Sequence, residues 1–163
     1  MPATSSDLVQ LAWANLVRTG STAFQRVEED LKRLGHPPLS WYDVLWELER
    51  APEGALQQSE VQARILIAQY NFTRLLDRLE KADLIRRVPC KIDGRSNVLH
   101  ITDTGRALRR GMWPDYDAAI FEHVGRHLQE GEAETLAGLL GKLLPDRGKL
   151  PLKTRQSSRG AGT

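Results

Sequence analysis

Cysteine is nearly absent from this 163-residue chain: Cys90 stands alone, so no disulfide can form within it and a reducing compartment suits it. Long apolar runs are missing too. No stretch approaches the ~20 residues a bilayer-spanning helix needs, and the N-terminus lacks the charged-then-apolar pattern of a signal peptide. A soluble, cytoplasmic protein with no membrane partner is therefore expected. Catalytic motifs are also lacking. No Cys/His spacing suits a metal, no glycine-rich loop is placed to cradle phosphate, and no Ser, His and Asp occur in a nucleophile's context. One i, i+4 histidine pair, His123 and His127, occurs on a helix-like stretch. It lacks the intervening Glu pattern of a metalloprotease, and solvent or a subunit seam is the simpler place for it. The sequence reads as a non-enzyme with no cofactor and no metal.

What is present centres on Ser59 to Thr102. This stretch reads as a short helix, a tight turn, a second helix and a β-hairpin. In the second helix Phe72, Leu75, Leu76 and Leu79 fall at i, i+3, i+4 and i+7, one buried stripe. Tyr70, Thr73, Arg74 and Asp77 repeat the spacing on the opposite face, with Gln69 and Asn71 by the helix start. On periodicity alone these are the solvated side of an amphipathic helix. With a wing beside them, Gln, Asn, Thr and Arg become donors that can meet base edges in a major groove.

The wing is read from Leu84, Ile85, Arg86 and Arg87, the Asp93-Gly94 hairpin signal and a return strand from Val98 to Thr102. Lys91, Arg95 and Asn97 lie about its tip. Arg95, steadied by Asp93, suits a minor groove; Arg74 suits guanine; Arg86, Arg87 and Lys91 suit phosphate. Charge is distributed accordingly. The net value of +2 conceals +3 between residues 59 and 102 and +4 from Asp146 onward, leaving −5 elsewhere, so the remaining surface would repel phosphate.

From Leu39 to Leu108 the chain resembles the MarR family of bacterial transcriptional regulators. The blocks that carry the resemblance are LSWYDVL, TRLLDRLEKADLIRR, the Asp93-x-Arg95 wing and ITDTGRAL, in that order. Gly94, Ala68 and Asp83 depart from the family's usual Arg, Ser and Gly. The resemblance implies an obligate homodimer on palindromic double-stranded operator DNA, repressing nearby genes until a small molecule releases it. The expected fold is mainly α with a small β-hairpin wing, a winged helix-turn-helix with a helical dimerisation region.

The rest of the chain fits around that unit. Residues 1–36 are expected to form an N-terminal dimerisation helix, capped by Ser6 or Asp7 and ended by Gly35-His36-Pro37-Pro38. Its apolar positions are too many for a solitary surface helix. Residues 37–104 form the winged helix-turn-helix, with capping boxes expected at Ser40/Asp43 and Ser59/Gln62 and a staple between Leu39 and Val44. Residues 105–145 supply C-terminal dimerisation helices, one running from about Gly105 to Leu128 with a kink at Pro114, the last carrying Leu136, Leu139, Leu140, Leu143 and Leu144 as an apolar stripe. Residues 146–163 read as a flexible basic tail.

Four tryptophans, Trp13, Trp41, Trp46 and Trp113, exceed what a small core requires. Core or dimer packing accounts for most such aromatics. The alternative is a pocket for a small aromatic acid between the dimer helices and the DNA-binding lobe, as the resemblance implies. Arg18, Ser21, His36, Trp41, Tyr42 and Trp46 are its expected lining, with Arg18 or His36 meeting the carboxylate. Two other readings remain open: a redox-responsive regulator using Cys90, whose basic neighbours would favour the thiolate, and a winged helix used only for protein contacts.

Overall fold

The computed structural model describes residues 6–65, 71–90 and 97–144. The expected turn at Asp93-Gly94, the site residues Gln69, Tyr70, Lys91 and Arg95, and the basic tail lie outside the described residues. Helix α1 spans Asp7–Arg33, with the Ser6 hydroxyl accepting from the Val9 amide. It stops where Gly35 takes φ +84, a left-handed value that glycine adopts without Cβ strain. There the amides of Gly35 and His36 close back on the carbonyls of Lys32 and Leu31, satisfying the helix's last acceptors.

That reversal sets up the next helix. Helix α2 runs Leu39–Glu49 behind Pro38, which has no side-chain acceptor to cap it. The expected Ser40/Asp43 box does not form. Ser40 and Asp43 are both buried, and the orphan Leu39 amide donates instead to the Glu28 carboxylate of α1 at 2.6 Å. Nor does Leu39 staple to Val44. Leu39 packs with Val27, Leu31 and Ala119, whereas Val44 joins the other core cluster.

A 3₁₀ turn at Pro52–Gly54 leads into β1 (Ala55–Gln57), which the sequence reading did not contain. Helix α3 (Gln58–Arg64) follows at once. Its capping box is Gln57/Glu60 rather than Ser59/Gln62, because β1 delivers the extended backbone straight into the helix at Gln57, two residues before the position the pattern implied. Helix α4 (Phe72–Lys81) is capped by the Asn71 Oδ1, which accepts from the Arg74 amide at 3.0 Å. It ends with Asp83 at φ +56 and the Leu84 amide on the Leu79 carbonyl, a geometry that favours glycine.

Strands β2 (Ile85–Pro89) and β3 (Asn97–Ile101) pair antiparallel with Arg87 opposite Leu99, and β1 adds to the far edge of β3, giving the order β1-β3-β2. Helix α5 (Asp103–His123) starts at Thr102, whose hydroxyl accepts from the Gly105 amide at 3.0 Å and donates to the Asp83 carbonyl at 2.6 Å. It runs unbroken through Pro114 and gives way to a 3₁₀ turn at Gly125–His127, short of the expected end at Leu128. Helix α6 spans Glu132–Gly141.

Two apolar clusters form among the described residues. The larger joins α2, α3, α4 and the sheet through Leu45, Leu48, Leu76, Leu79, Ile85 and Leu99, all fully buried. Each such side chain contributes about 1.5–3 kcal/mol on leaving water. The smaller joins α1, α2 and α5. Beyond Val27 the first helix has little to pack on: Leu8 is 77% exposed and Trp13 67%. Leu139, Leu143 and Leu144 near the other end of the chain are also exposed. No described helix is long and apolar enough to cross a membrane.

Candidate nucleic-acid interface and adjoining cavity

The polar side of α4 faces solvent. Thr73 and Arg74 are exposed, while Phe72, Leu75, Leu76 and Leu79 hold the opposite face in the core. Asn71 is also exposed, but its amide oxygen is engaged as the helix cap. Arg86 projects from the outer side of β2, exposed, directly across from His100.

Arg87 is placed differently from Arg86, as alternation along a strand requires. Its guanidinium donates to Glu80 at 2.8 Å through Nε and to Asp77 at 2.7 Å, and its amide donates to Glu80 Oε1. The hydrogen bond from Arg87 holds the Glu80 carboxyl below the ordinary carboxylate range, and Glu80 in turn raises Arg87. Phosphate contact is the expectation for Arg87 from sequence. In the structure its charge is taken up by two carboxylates of α4. Cys90 is half-buried just past the end of β2.

A cavity of about 550 Å³ opens between α1, α2 and α5. Of the six residues expected to line it, Tyr42 and Trp46 do so. The others are drawn elsewhere. Arg18 and Ser21 are exposed on α1, outside the lining. Trp41 packs against the winged-helix core, being one position round α2 from Tyr42. His36 is held through Nε2 by Asp115 of α5 at 2.6 Å. A second such pair, His123 with Asp30 at 2.7 Å, ties the far end of α5 to α1, so His123 faces α1 of its own chain rather than the solvent or subunit seam expected for it. The hydrogen bond from His123 holds the Asp30 carboxyl below its usual range.

Four lining residues outside the expected set come from one face of α5: Arg109, Trp113, Tyr116 and Ile120. Their i, i+4, i+7, i+11 spacing was the signal available. Tyr42 stacks on Trp46 and Trp113 and meets Tyr116 edge-on at 5.0 Å. Arg109 lies 5.3 Å from the Trp46 ring centre and is ion-paired with Glu49, which Arg110 also approaches at 3.2 Å. Burial raises the phenols of Tyr42 and Tyr116 above their ordinary value, so both remain protonated at neutral pH. The cavity thus offers aromatic walls, one guanidinium and one carboxylate, Asp43.

A profile described as MarR family matches residues 35–96. The chain is 33% identical to the HTH-type transcriptional regulator PecS of Dickeya dadantii over 110 residues, 63% of this chain and 61% of that one. It is 28% identical to an uncharacterised HTH-type transcriptional regulator of Bacillus cereus over 136 residues, 82% of this chain and 86% of the other. Its fold superposes with a TM-score of 0.76 on Sco3205, a MarR family transcriptional regulator from Streptomyces coelicolor solved in complex with DNA. That match covers 93% of this chain and 97% of the other at 23% identity.

Proposed function

Because the chain belongs to the MarR family of transcriptional regulators, we propose that it binds a pseudo-palindromic operator as a homodimer and that a small aromatic ligand releases it, making it a repressor. The observation that carries the DNA reading is α4: a helix with one face sealed in the core and a solvent face that presents Thr73 and Arg74 beside a capped N-terminus. Sco3205, its structural relative, is a DNA complex. In the dimer, two such helices enter successive major grooves about 10 base pairs apart. Asn71 and Arg86 join that face as further DNA contacts, and from their residue types alone Gln69 and Tyr70 are assigned to bases and Lys91 and Arg95 to backbone or minor groove. The exposed leucines of α6 and the N-terminal half of α1 supply the dimer face.

The cavity supports the ligand half of the reading. Stacked aromatic walls admit a planar ring, Arg109 offers a bidentate partner for an acid group, and Asp43 accepts from a ring N–H or O–H. This transfers the anionic contact from Arg18 or His36 to Arg109. Because α5 supports both the cavity and the sheet, a ligand that shifts it favours a dimer whose reading helices no longer match the operator.

Fluorescence anisotropy on the chain's own upstream DNA tests both halves. Arg74→Ala should cost about 5–150-fold in specific affinity, the 1–3 kcal/mol of a bidentate base contact. Benzoic, phenolic and indolic acids should release the wild-type complex but not that of Arg109→Gln. Specific binding unaffected by Arg74→Ala would remove Arg74 from base reading, and a wild type without specific binding would move the reading to a protein-contact role.

A further inference from the structure

We propose that Arg87 is a positioning residue that fixes the angle between the reading helix and the wing, acting on DNA through Glu80 and Asp77 rather than by touching phosphate. The proposal rests on the DNA-binding reading above. Thr73, Asp77 and Glu80 fall at i, i+4 and i+7 on α4, so the two carboxylates continue the polar face that carries Arg74. Left alone, two negative charges there would repel a DNA backbone. Arg87 reaches them from the neighbouring strand. It makes three charge-assisted contacts, and its own amide closes a fourth on Glu80.

The geometry is that of a brace. Helix α4 and strand β2 are joined covalently only by the turn through Asp83, and their shared core contacts lie on the inner face. Apolar packing resists separation but permits sliding, whereas a forked guanidinium held at 2.7 and 2.8 Å fixes both distance and orientation. The Thr102 hydroxyl bound to the Asp83 carbonyl restrains the turn itself. Arg86, one residue earlier, projects to the opposite side of β2 and remains available for phosphate.

Removing a carboxylate separates the brace from its electrostatic alternatives by the sign of the effect. If Arg87 met phosphate, Glu80→Ala would free it and strengthen DNA binding; by charge alone, losing a negative group beside DNA also strengthens binding. The brace reverses this for the operator only. Wild type, Glu80→Ala and the volume-preserving Asp77→Asn/Glu80→Gln should be titrated onto operator DNA and onto a random duplex of equal length, with far-UV circular dichroism to check folding. The brace predicts operator affinity reduced about tenfold in Glu80→Ala, with random-duplex affinity unchanged or higher, so the specificity ratio falls. The double variant should follow the same direction with native ellipticity. Operator affinity that is unchanged or raised overturns the proposal, as does a parallel loss on both duplexes. A wild type with no preference for the operator would instead defeat the DNA-binding reading itself.

Discussion

Helix α5 sits so close to the turn before β2 that one methyl group should dislodge it. A Cβ on Gly105 would lie 2.2 Å from the Leu84 carbonyl oxygen, 3.0 Å from Ile101 and 3.1 Å from Leu45. The first contact is to backbone, which cannot rotate away, so Gly105→Ala requires α5 to shift by about an ångström, the deficit against an ordinary carbon–oxygen contact. The same shift loosens the Thr102 amide from the Leu84 carbonyl and the Thr102 hydroxyl from the Asp83 carbonyl, at 3.1 and 2.6 Å. Overpacking costs about 1–3 kcal/mol and each of the two weakened hydrogen bonds about 1 kcal/mol, for a total of about 3–5 kcal/mol. For a chain of this length that lowers Tm by about 6–20 °C. Thermal melts followed by circular dichroism at fixed protein concentration measure it, with Gly20→Ala as the control: nothing lies within 4 Å of a Cβ at Gly20, on exposed helix α1, so that variant should melt at or slightly above wild type. A Gly105→Ala protein melting within about 2 °C of wild type would refute the close-approach argument.

Asp83 occupies a left-handed conformation at φ +56, so Asp83→Gly should stabilise the protein by about 0.5–1 kcal/mol, visible as a Tm raised by about 1–4 °C. Asp30 and Glu80 have carboxyls depressed by His123 and Arg87 respectively. A carboxyl lowered in the folded state contributes stability above its unfolded value and loses it as pH falls through the folded one. Urea midpoints should therefore drop as pH falls below about 5, and Asp30→Asn or Glu80→Gln should flatten that slope. Leu139 and Leu143 are exposed in the single chain; if they form the dimer seam, Leu139→Asp/Leu143→Asp should elute as a monomer in size-exclusion chromatography with light scattering, and an unchanged dimer mass would place the seam elsewhere.

The elements visible in the sequence were those whose signal is local. The stripe of Phe72, Leu75, Leu76 and Leu79 announced α4 and its buried face, and the two ends of α1 were expected at Ser6 or Asp7 and at Gly35, where the structure shows Ser6 as the cap and Gly35 in the closing turn. What escaped the reading depends on distant partners. Strand β1 is three residues long, too short for alternation to register, and exists because β3 offers it an edge. The start of α2 carried a plausible local box, yet a carboxylate from the preceding helix took the amide first. Thr73 and Arg74 could be assigned to the solvent side because helical periodicity fixes that face. The partner of Arg87 could not, since a strand's alternation says which side a residue takes and nothing about what waits there. The cavity was anticipated as aromatic from α2, while its charged wall came from α5, whose pattern reads equally well as packing.

Helix α2 is secured at both ends by other elements: Glu28 of α1 takes its first amide, and Arg109 and Arg110 of α5 hold Glu49 at its last residue. During synthesis these supports arrive at different times. Glu28 has already left the ribosome when α2 emerges, but Arg110 follows Glu49 by 61 residues, several seconds later at ordinary rates of elongation. In that interval α2 is anchored at its start and loose at its finish. The nascent winged unit thus settles only after the first third of α5 is exposed, so premature termination before Arg109 should yield a chain whose DNA-reading region is incompletely ordered, not a working fragment.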